Sequence, residues 1–341
     1  MDCLKRTNFL NPISGNMQNV ESCVPTRRSH SKRIKRHPFI ATIFASLLLW
    51  VAPYNQSATN TDPLRVQVLG SGGPELDDGR ASSSYLIWID GKATVLVDTG
   101  TGSAVNFEKS GAQFSDLEAI AFTHLHVDHS ADFPAYIKGS YFSSRSRNLL
   151  VVGPSGNMIM PSTKEFAARM IGPNGAFAYL QNFLIEGGEN YPLVVRDRDI
   201  KDRKVQRISL RPGLTLSSMP VHHGPVAALA WRVDIGKYSV TFSGDMNNAY
   251  DTLQHLAEAT DLLVIHNAVP ESAGGAAANL HIKPLIIGQV AQHSGAKKLL
   301  ISHRMNRTLG DEAKTLAAIR NSYGGPVAFA NDLDSFVISG E

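Results

Sequence analysis

A dense run of histidine and aspartate directly after an apolar strand constrains the fold of this chain of 341 residues more than any other feature. The apolar residues 119–122 precede the sequence THLHVDH. Because residues i and i+2 of an extended backbone face the same side, His124 and His126 can bind one metal ion. Asp128 and His129 lie where the chain turns and can face a second ion. Buried without a metal, these groups would lack polar partners, so the pattern predicts a metal centre.

Residues 1–58 differ from the rest of the chain in charge and hydropathy. They hold eight basic and two acidic side chains, a net charge of +6, which leaves a net charge of −3 for residues 59–341. A basic stretch, an apolar stretch at residues 39–51 and small residues near position 57 predict a signal peptide. An uncleaved N-terminal anchor is the alternative, and only then do we expect contact with a membrane. Both alternatives predict a periplasmic or secreted domain at residues 59–341.

Cysteine content and charge exclude several kinds of site and partner. Cys3 and Cys23 both lie in the N-terminal leader, residues 1–58. The domain can therefore have no disulfide framework, no thiolate nucleophile and no cysteine metal ligand. A nucleic-acid-binding domain usually concentrates positive charge on its surface, whereas this domain is net acidic. We therefore expect histidine and carboxylate ligands, a small-molecule substrate and no nucleic-acid partner.

The apolar patterns of the remaining chain predict an α+β fold. Short β-rich runs at residues 64–70, 84–90 and 92–100, the last two joined by Asp90 and Gly91, indicate hairpins in the first half. In the second half, strand-like runs such as residues 262–265 alternate with helix-like segments. This order is typical of helices that cover sheets.

The sequence at positions 124–129 is an H-x-H-x-D-H run, in which the chain resembles the metallo-β-lactamase superfamily. The likeness extends over about residues 64–305 and is strongest to the ribonuclease Z-like and arylsulfatase-like branch. It includes VLGSGGP, SSSYLIWIDGKATVLVDTG, PVHHGPVAALAWRV, FSGDM and LHIKPLIIGQVAQHSGAKKLLISH, in that order. The resemblance implies a four-layer αββα sandwich with a dinuclear metal site at one edge of its two sheets.

The same resemblance implies a cofactor of two Zn²⁺ ions per chain, with Mn²⁺ or Fe²⁺ as alternatives. Carried over by position, the ligands are His124, His126 and a histidine of PVHHGPV for one ion, Asp128, His129 and His303 for the other, and Asp245 as the bridge. Neighbouring side chains of a strand face opposite sides, so only one of His222 and His223 can be a ligand. The family's histidine aligns better with His223, which leaves His222 as an outer partner at the rim.

Two further residues, Asp98 and His281, are expected to act around the ligands. Asp98, in the sequence VDTG, is expected to orient a ligand histidine rather than to bind metal. His281 resembles the histidine that contacts the scissile phosphate and assists the leaving group in the ribonuclease Z-like branch. A helix cap before Pro284 is the alternative role for His281. His266 follows a strand and could line the cleft, but the sequence assigns it no role.

The resemblance implies a zinc-dependent hydrolase whose metal-bound hydroxide, oriented by Asp128 and Asp245, attacks a small phosphodiester or an aryl sulfate ester. The N-terminal segment adds the expectation that this hydrolase is exported. A lactone or carboxylic ester hydrolase, an iron-dependent oxidoreductase and a non-catalytic metal-binding scaffold are the alternatives. The complete ligand set favours hydrolysis. Transfer-RNA processing is disfavoured because only 21 residues separate His223 from Asp245, where that family inserts a long basic arm.

The segment at about residues 140–212 is longer than the family pattern requires. Its aromatic residues include Phe166, Phe177, Tyr179, Phe183 and Tyr191. We interpret it as a lid insertion over the cleft, with an ordinary helical excursion around its own small core as the alternative. A homodimer is a further expectation from the family, although no feature of the sequence requires one.

Overall fold

The structure is a computed structural model that describes residues 64–339 of the chain. The first of its two seven-stranded sheets contains β1 (Leu64–Gly70), β2 (Ser84–Ile89), β3 (Lys92–Val97), β4 (Ala119–Ala121), β5 (Leu149–Pro154), β6 (Leu193–Arg198) and β14 (Ser335–Val337). The second contains β7 (Gln206–Arg211), β8 (Leu214–His223), β9 (Val226–Ile235), β10 (Tyr238–Phe242), β11 (Leu262–His266), β12 (Leu299–Ser302) and β13 (Val327–Phe329). The leader, both cysteines and the question of cleavage lie outside the described residues.

Helices cover both sheets. They are α1 (Ser103–Lys109), α2 (Val127–Ser130), α3 (Phe133–Ser140), α4 (Thr163–Ile171), α5 (Thr252–Leu256), α6 (Gly275–Leu280), α7 (Pro284–Ser294) and α8 (Glu312–Ile319). Two short 3-10 helices cover Phe114–Asp116 and Ala178–Leu184. Within residues 64–339, no helix combines the length and the apolar character needed to cross a membrane.

Each sheet is antiparallel in one half and parallel in the other. The first sheet has the order β14-β1-β2-β3-β4-β5-β6, and its strands are parallel from β3 onward. The second has the order β13-β12-β11-β10-β9-β8-β7, and its strands are parallel from β10 to β13. The predicted hairpin of β2 and β3 is present. Asp90 and Gly91 at its turn both have positive φ, as a two-residue hairpin turn requires.

Three apolar clusters separate the four layers. The central one lies between the sheets and joins residues such as Val66, Tyr85 and Ile87 of the first sheet to Leu216, Trp231 and Phe242 of the second. An outer cluster packs α1, α3 and α4 on the first sheet, and another packs α5, α7 and α8 on the second. Strand residues alternate between the central and outer clusters, so most strands are buried on both faces. The predicted αββα sandwich is confirmed.

The segment at residues 140–212 contributes strands to both sheets. It contains β5 and α4 and adds β6 and β7 as the edge strands of the two sheets. Phe166, Phe183 and Tyr191 pack in the outer cluster under the first sheet, whereas Phe177 and Tyr179 are exposed. The first three aromatics therefore have the packing role that was the alternative to a lid.

The ends of the parallel strands place the predicted chemistry at one edge of the sandwich. The residues that follow or end these strands are Asp98 after β3, the loop at residues 122–126 after β4, Asp245 after β10, His266 in β11 and His303 after β12. Two hydrogen bonds hold the loop after β4 against the second sheet. The Trp231 indole donates to the Phe122 carbonyl at 2.8 Å, and the Leu229 amide donates to the Thr123 carbonyl at 2.8 Å.

Candidate metal centre

Three histidines from two parts of the chain form the first donor cluster. His124 and His126 lie in the extended loop after β4, with ring centroids 4.7 Å apart. His223, at the end of β8, lies with its ring centroid 4.9 Å from that of His124. The candidate ligand nitrogens of the three rings all lie within 4.8 Å of one another. The two sheets therefore bring together a trio that sequence spacing alone connects only in part.

The orientation of His223 leaves one ring nitrogen free for a ligand. Its Nδ1 lies 2.8 Å from the Leu280 carbonyl, which can only accept, so Nδ1 carries the proton and Nε2 the lone pair. The Nε2 atoms of His223 and His124 are both buried without a hydrogen-bond partner. Burial also lowers the pKa of both rings and favours the neutral form that binds a metal.

The structure places His222 on the opposite side of β8. Its Nδ1 lies 3.0 Å from Oδ1 of Asn247, and its ring packs 5.0 Å from that of Tyr250. His222 is half-buried at the rim and touches none of the other site histidines described. Of the two adjacent histidines, the one that faces His124 and His126 is therefore His223.

Asp128, His129 and His303 form the second donor cluster, next to Asp245. The Nε2 atom of His303 lies 3.2 Å from Oδ2 of Asp128 and 3.4 Å from Oδ1 of Asp245. The Nε2 atom of His129 lies 3.6 Å from Oδ2 of Asp128 and has no hydrogen-bond partner. The candidate ligand atoms of His129, Asp245, His303 and also His266 all lie within 4.8 Å of one another, although separate parts of the chain supply them. Asp128 lies beside His129 and His303.

Asp245 lies between the two clusters. Its Oδ1 is 3.7 Å from Nε2 of His129 in the second cluster, and its Oδ2 is 3.7 Å from Nε2 of His223 in the first. Although burial opposes ionisation, the surrounding histidines, first of all His303, hold the pKa of Asp245 well below its usual range. An ionised carboxylate with one oxygen toward each cluster is the arrangement that a bridging ligand needs.

Asp98 orients the His129 ring through Nδ1, the ring nitrogen that faces away from the second cluster. It is fully buried at the end of β3, where its Oδ1 accepts from the Thr123 amide at 2.7 Å and its Oδ2 lies 2.8 Å from Nδ1 of His129. Burial disfavours a charge on His129, but the surrounding carboxylates, first of all Asp128, raise its pKa to about 9. The contact fixes a proton on Nδ1 and directs Nε2 toward the second cluster.

His281 lies on the open side, between the clusters. Its Nδ1 is 3.7 Å from Oδ2 of Asp245, and its ring centroid lies 5.3 Å from that of His223 and 6.0 Å from that of His303. Its side chain is 12% exposed, more than the other histidines that face Asp245. Burial lowers the pKa of His281 to about 4, so its ring is neutral near pH 7.

His266 is the functional neighbour to which the sequence assigned no role. It is buried at the end of β11, and its Nδ1 lies 2.8 Å from Oδ1 of Asp245. The signal that could have found it is its position: β10, β11 and β12 are parallel neighbours, so the residues at their ends share one edge. Asp245 and His303 are the residues at the other two ends.

Glycines allow the loops to approach the second cluster closely. A Cβ on Gly73 would lie 2.9 Å from Cε1 of His303, and a Cβ on Gly100 would lie 2.3 Å from the Asp128 carbonyl oxygen. Both positions therefore require glycine for space. The glycines of the VLGSGGP run serve as close-packing turn residues next to a candidate ligand.

The donor set fits two divalent ions. Imidazole nitrogen and carboxylate oxygen are the ligands that borderline ions such as zinc accept. The orphaned Nε2 atoms of His124, His129 and His223 are buried polar atoms that a metal would satisfy. All seven residues predicted as metal ligands lie at this edge, divided between the two clusters with Asp245 between them.

Comparison with known proteins agrees with this architecture. The profile of the Metallo-beta-lactamase superfamily matches residues 77–313. The chain belongs to the metallo-beta-lactamase superfamily. Superfamily members use divalent metals, usually zinc, and the family together with the donor set makes this chain a metal-dependent hydrolase.

Curated relatives of this superfamily protein include enzymes named Ribonuclease Z. That of Mycobacterium marinum is 25% identical over 283 residues, which cover 79% of this chain and 97% of the relative. That of Mycobacterium bovis is 26% identical over 287 residues, which cover 79% of this chain and 96% of the relative. The predicted resemblance to the ribonuclease Z-like branch is confirmed.

Solved structures share the fold. The metallo-beta-lactamase fold protein YhfI from Bacillus subtilis superposes with a TM-score of 0.63 at 20% identity, covering 81% of this chain and 99% of that one. The short form of human tRNase Z superposes with a TM-score of 0.61 at 18% identity, with the same coverage of both chains.

Proposed function

We propose that this chain hydrolyses a phosphodiester with the help of two divalent ions held at the edge of the sandwich. The observation that carries the proposal is the pair of donor clusters with Asp245 between them and His281 on their open side. When bound, two such ions supply an activated water and stabilise the negative charge that develops on the phosphate.

The chain's own residues prepare the site for an anionic substrate. Asp98 and the Leu280 carbonyl hold the protons of His129 and His223 on Nδ1, so the Nε2 atoms face the centre. Asp128 and Asp245 keep a fixed negative charge there, which would hold the two cations, and the cations would in turn attract the anion. The neutral ring of His281 offers one N–H, which a phosphoryl or leaving oxygen can accept. The arrival of that anion would also raise the pKa of His281, so that the ring could take up a proton from solvent and then donate it to the leaving oxygen.

The identity of the relatives supports a phosphodiester over an aryl sulfate, a lactone or a carboxylic ester. The relatives named Ribonuclease Z match over nearly their whole length. Their name also weighs against our expectation that no nucleic acid is a partner, and it makes RNA a second candidate substrate.

Two observations support a small diester over RNA. The 21 residues between His223 and Asp245 form little more than β9, a two-residue turn and β10, so no inserted arm occurs in this part of the described chain. The domain is also net acidic. A direct assay with both substrates distinguishes a small diester from RNA.

The test is hydrolysis by the full chain, reconstituted with zinc, of four substrates in parallel. These are bis(p-nitrophenyl) phosphate, p-nitrophenyl sulfate, a lactone and an RNA with a 3′ trailer. Asp245→Asn is the inactivating variant, and Asp234→Asn is its control because Asp234 pairs with Arg232 on β9. We expect diester turnover that falls at least about a hundredfold in Asp245→Asn alone. Turnover of only the sulfate or the lactone, or turnover that Asp245→Asn retains, would refute the proposal.

We also propose that the domain is exported. The proposal rests on the basic and apolar stretches of residues 1–58. Cell fractionation of the full chain and of a variant without residues 39–51 tests it. Export predicts the full chain outside the cytoplasm and the shortened variant inside it.

A further inference from the structure

A buried chain of polar side chains reaches Asp245 from the side away from His281. His266 contacts Oδ1 of Asp245 through its Nδ1, at 2.8 Å. Its other ring nitrogen, Nε2, lies 3.0 Å from the hydroxyl of Tyr85. That hydroxyl also lies 2.8 Å from Oγ of Ser302. Tyr85 and Ser302 are completely buried and His266 is 2% exposed, so bulk water does not compete for the hydrogen bonds among these side chains.

The direction of these contacts follows from the chemistry of the groups. An ionised carboxylate only accepts, so Nδ1 of His266 must carry the proton that points at Asp245. In a neutral ring Nε2 then accepts, and the Tyr85 hydroxyl is the group in place to donate to it. The Tyr85 hydroxyl has one proton for its two contacts, and the Ser302 hydroxyl, which can donate as well as accept, is able to supply the proton of the other contact. Each member therefore fixes the orientation of the next.

The chain of contacts joins the two sheets. Tyr85 belongs to β2 of the first sheet, whereas His266 and Ser302 end β11 and β12 of the second. The Tyr85 ring packs 5.3 Å from that of Phe242, so both its ring and its hydroxyl are held. Ser302 directly precedes His303 in the sequence, and the contact therefore also reaches the second donor cluster.

We infer that His266 and Tyr85 are positioning residues, which hold the Asp245 carboxylate with one oxygen toward each donor cluster. The inference rests on the proposed dinuclear centre. Without the His266 contact, the Asp245 carboxylate could rotate, because its Oδ1 has no other donor within 3 Å among the described residues. An outer partner of this kind typically contributes about 10- to 100-fold to metal affinity.

The experiment measures the zinc stoichiometry and affinity of the full chain by competition with a chromophoric chelator, using Zn²⁺ alone as the probe. His266→Leu removes the donor, and His266→Asn returns an amide N–H close to the position of Nδ1. Tyr85→Phe removes only the hydroxyl. Tyr136→Phe is the matched control, because Tyr136 is also buried and its hydroxyl also lies near a serine, 3.3 Å from Ser103 Oγ.

We expect His266→Leu to weaken at least one of the two zinc ions by about 10- to 100-fold. Tyr85→Phe should weaken it in the same direction, His266→Asn should recover much of the loss, and Tyr136→Phe should bind as the unaltered protein does. The recovery separates positioning from a structural role, because Asn restores the donor but leaves the packing volume of the imidazole unfilled.

Two results would overturn the inference. If the His266→Leu variant binds two zinc ions with unchanged affinity, the inference is refuted directly. If His266→Leu does not fold, Tyr85→Phe decides in its place, and unchanged affinity there is equally decisive. An unaltered protein that binds fewer than two zinc ions would instead refute the dinuclear centre itself, so the two failures are distinguishable.

Discussion

Zinc binding to this protein should release a proton from His129. The pKa of this residue is about 9 without metal, because Asp128 and the other carboxylates around it outweigh its burial. At pH 7 only about one molecule in a hundred then has the neutral ring that binds a metal. Removing the proton costs about 3 kcal/mol at that pH, and the cost disappears as the pH rises through 9.

We therefore expect the zinc affinity to increase as the pH rises. Between pH 6.5 and 8.5, the release of about one proton by His129 alone should raise the zinc affinity of the second cluster about tenfold per pH unit. His303, whose pKa is also raised, adds to the release. The assay titrates metal-free protein with zinc chloride in a weakly buffered indicator solution, and measures affinity by chelator competition at three pH values.

The Asp98→Asn variant distinguishes the proton that His129 releases from protons that other groups release. The variant removes one of the carboxylates that hold the proton on His129, so its release at pH 7 and its pH dependence should both decrease. Protons that come from water do not depend on Asp98. A zinc affinity that is constant between pH 6.5 and 8.5, without proton release, would refute the reasoning.

Three further predictions concern single residues. His281→Ala should lower kcat by about 10²- to 10⁴-fold while zinc stoichiometry stays the same, which steady-state kinetics and metal analysis check together; an unchanged kcat would remove its catalytic role. Asp98→Asn should weaken zinc binding by about 10- to 100-fold, since His129 loses the partner that orients it, and unaltered affinity at pH 8.5 would contradict this role. Trp231→Ala should lower the free energy of unfolding by about 3–5 kcal/mol, because Trp231 is fully buried and donates to the Phe122 carbonyl. Denaturant unfolding of the metal-free protein measures this change. A loss below about 1 kcal/mol would show that the core repacks.

Local features were readable from the sequence because their cause is local. The i, i+2 spacing of His124 and His126 predicts one shared side, and the rings do face each other at 4.7 Å. The Asp90–Gly91 pair predicts a hairpin turn because both residues tolerate positive φ, and both adopt it. The αββα fold followed from a resemblance carried by the H-x-H-x-D-H run and five further motifs rather than from periodicity alone.

The edge strands β6 and β7 were not apparent from the sequence. Their residues are mostly half-buried or exposed, and charged side chains interrupt the apolar alternation. Strands of this kind form because a neighbouring strand offers backbone hydrogen bonds, which leaves little trace in the side-chain pattern. The lid interpretation of the same segment rested instead on its extra length and its aromatic residues.

The sequence by itself determined which residue types could bind metal and where the chain reverses direction. The resemblance favoured His223 over His222, but only the tertiary structure shows that His223 faces His124 and His126 while His222 faces Asn247, since adjacent strand residues are equivalent until one face is buried. Only the tertiary structure joined His266 to Tyr85, which lie 181 residues apart and on different sheets. Contacts across a sandwich depend on how two sheets stack, and that packing is a property of the whole core rather than of any segment.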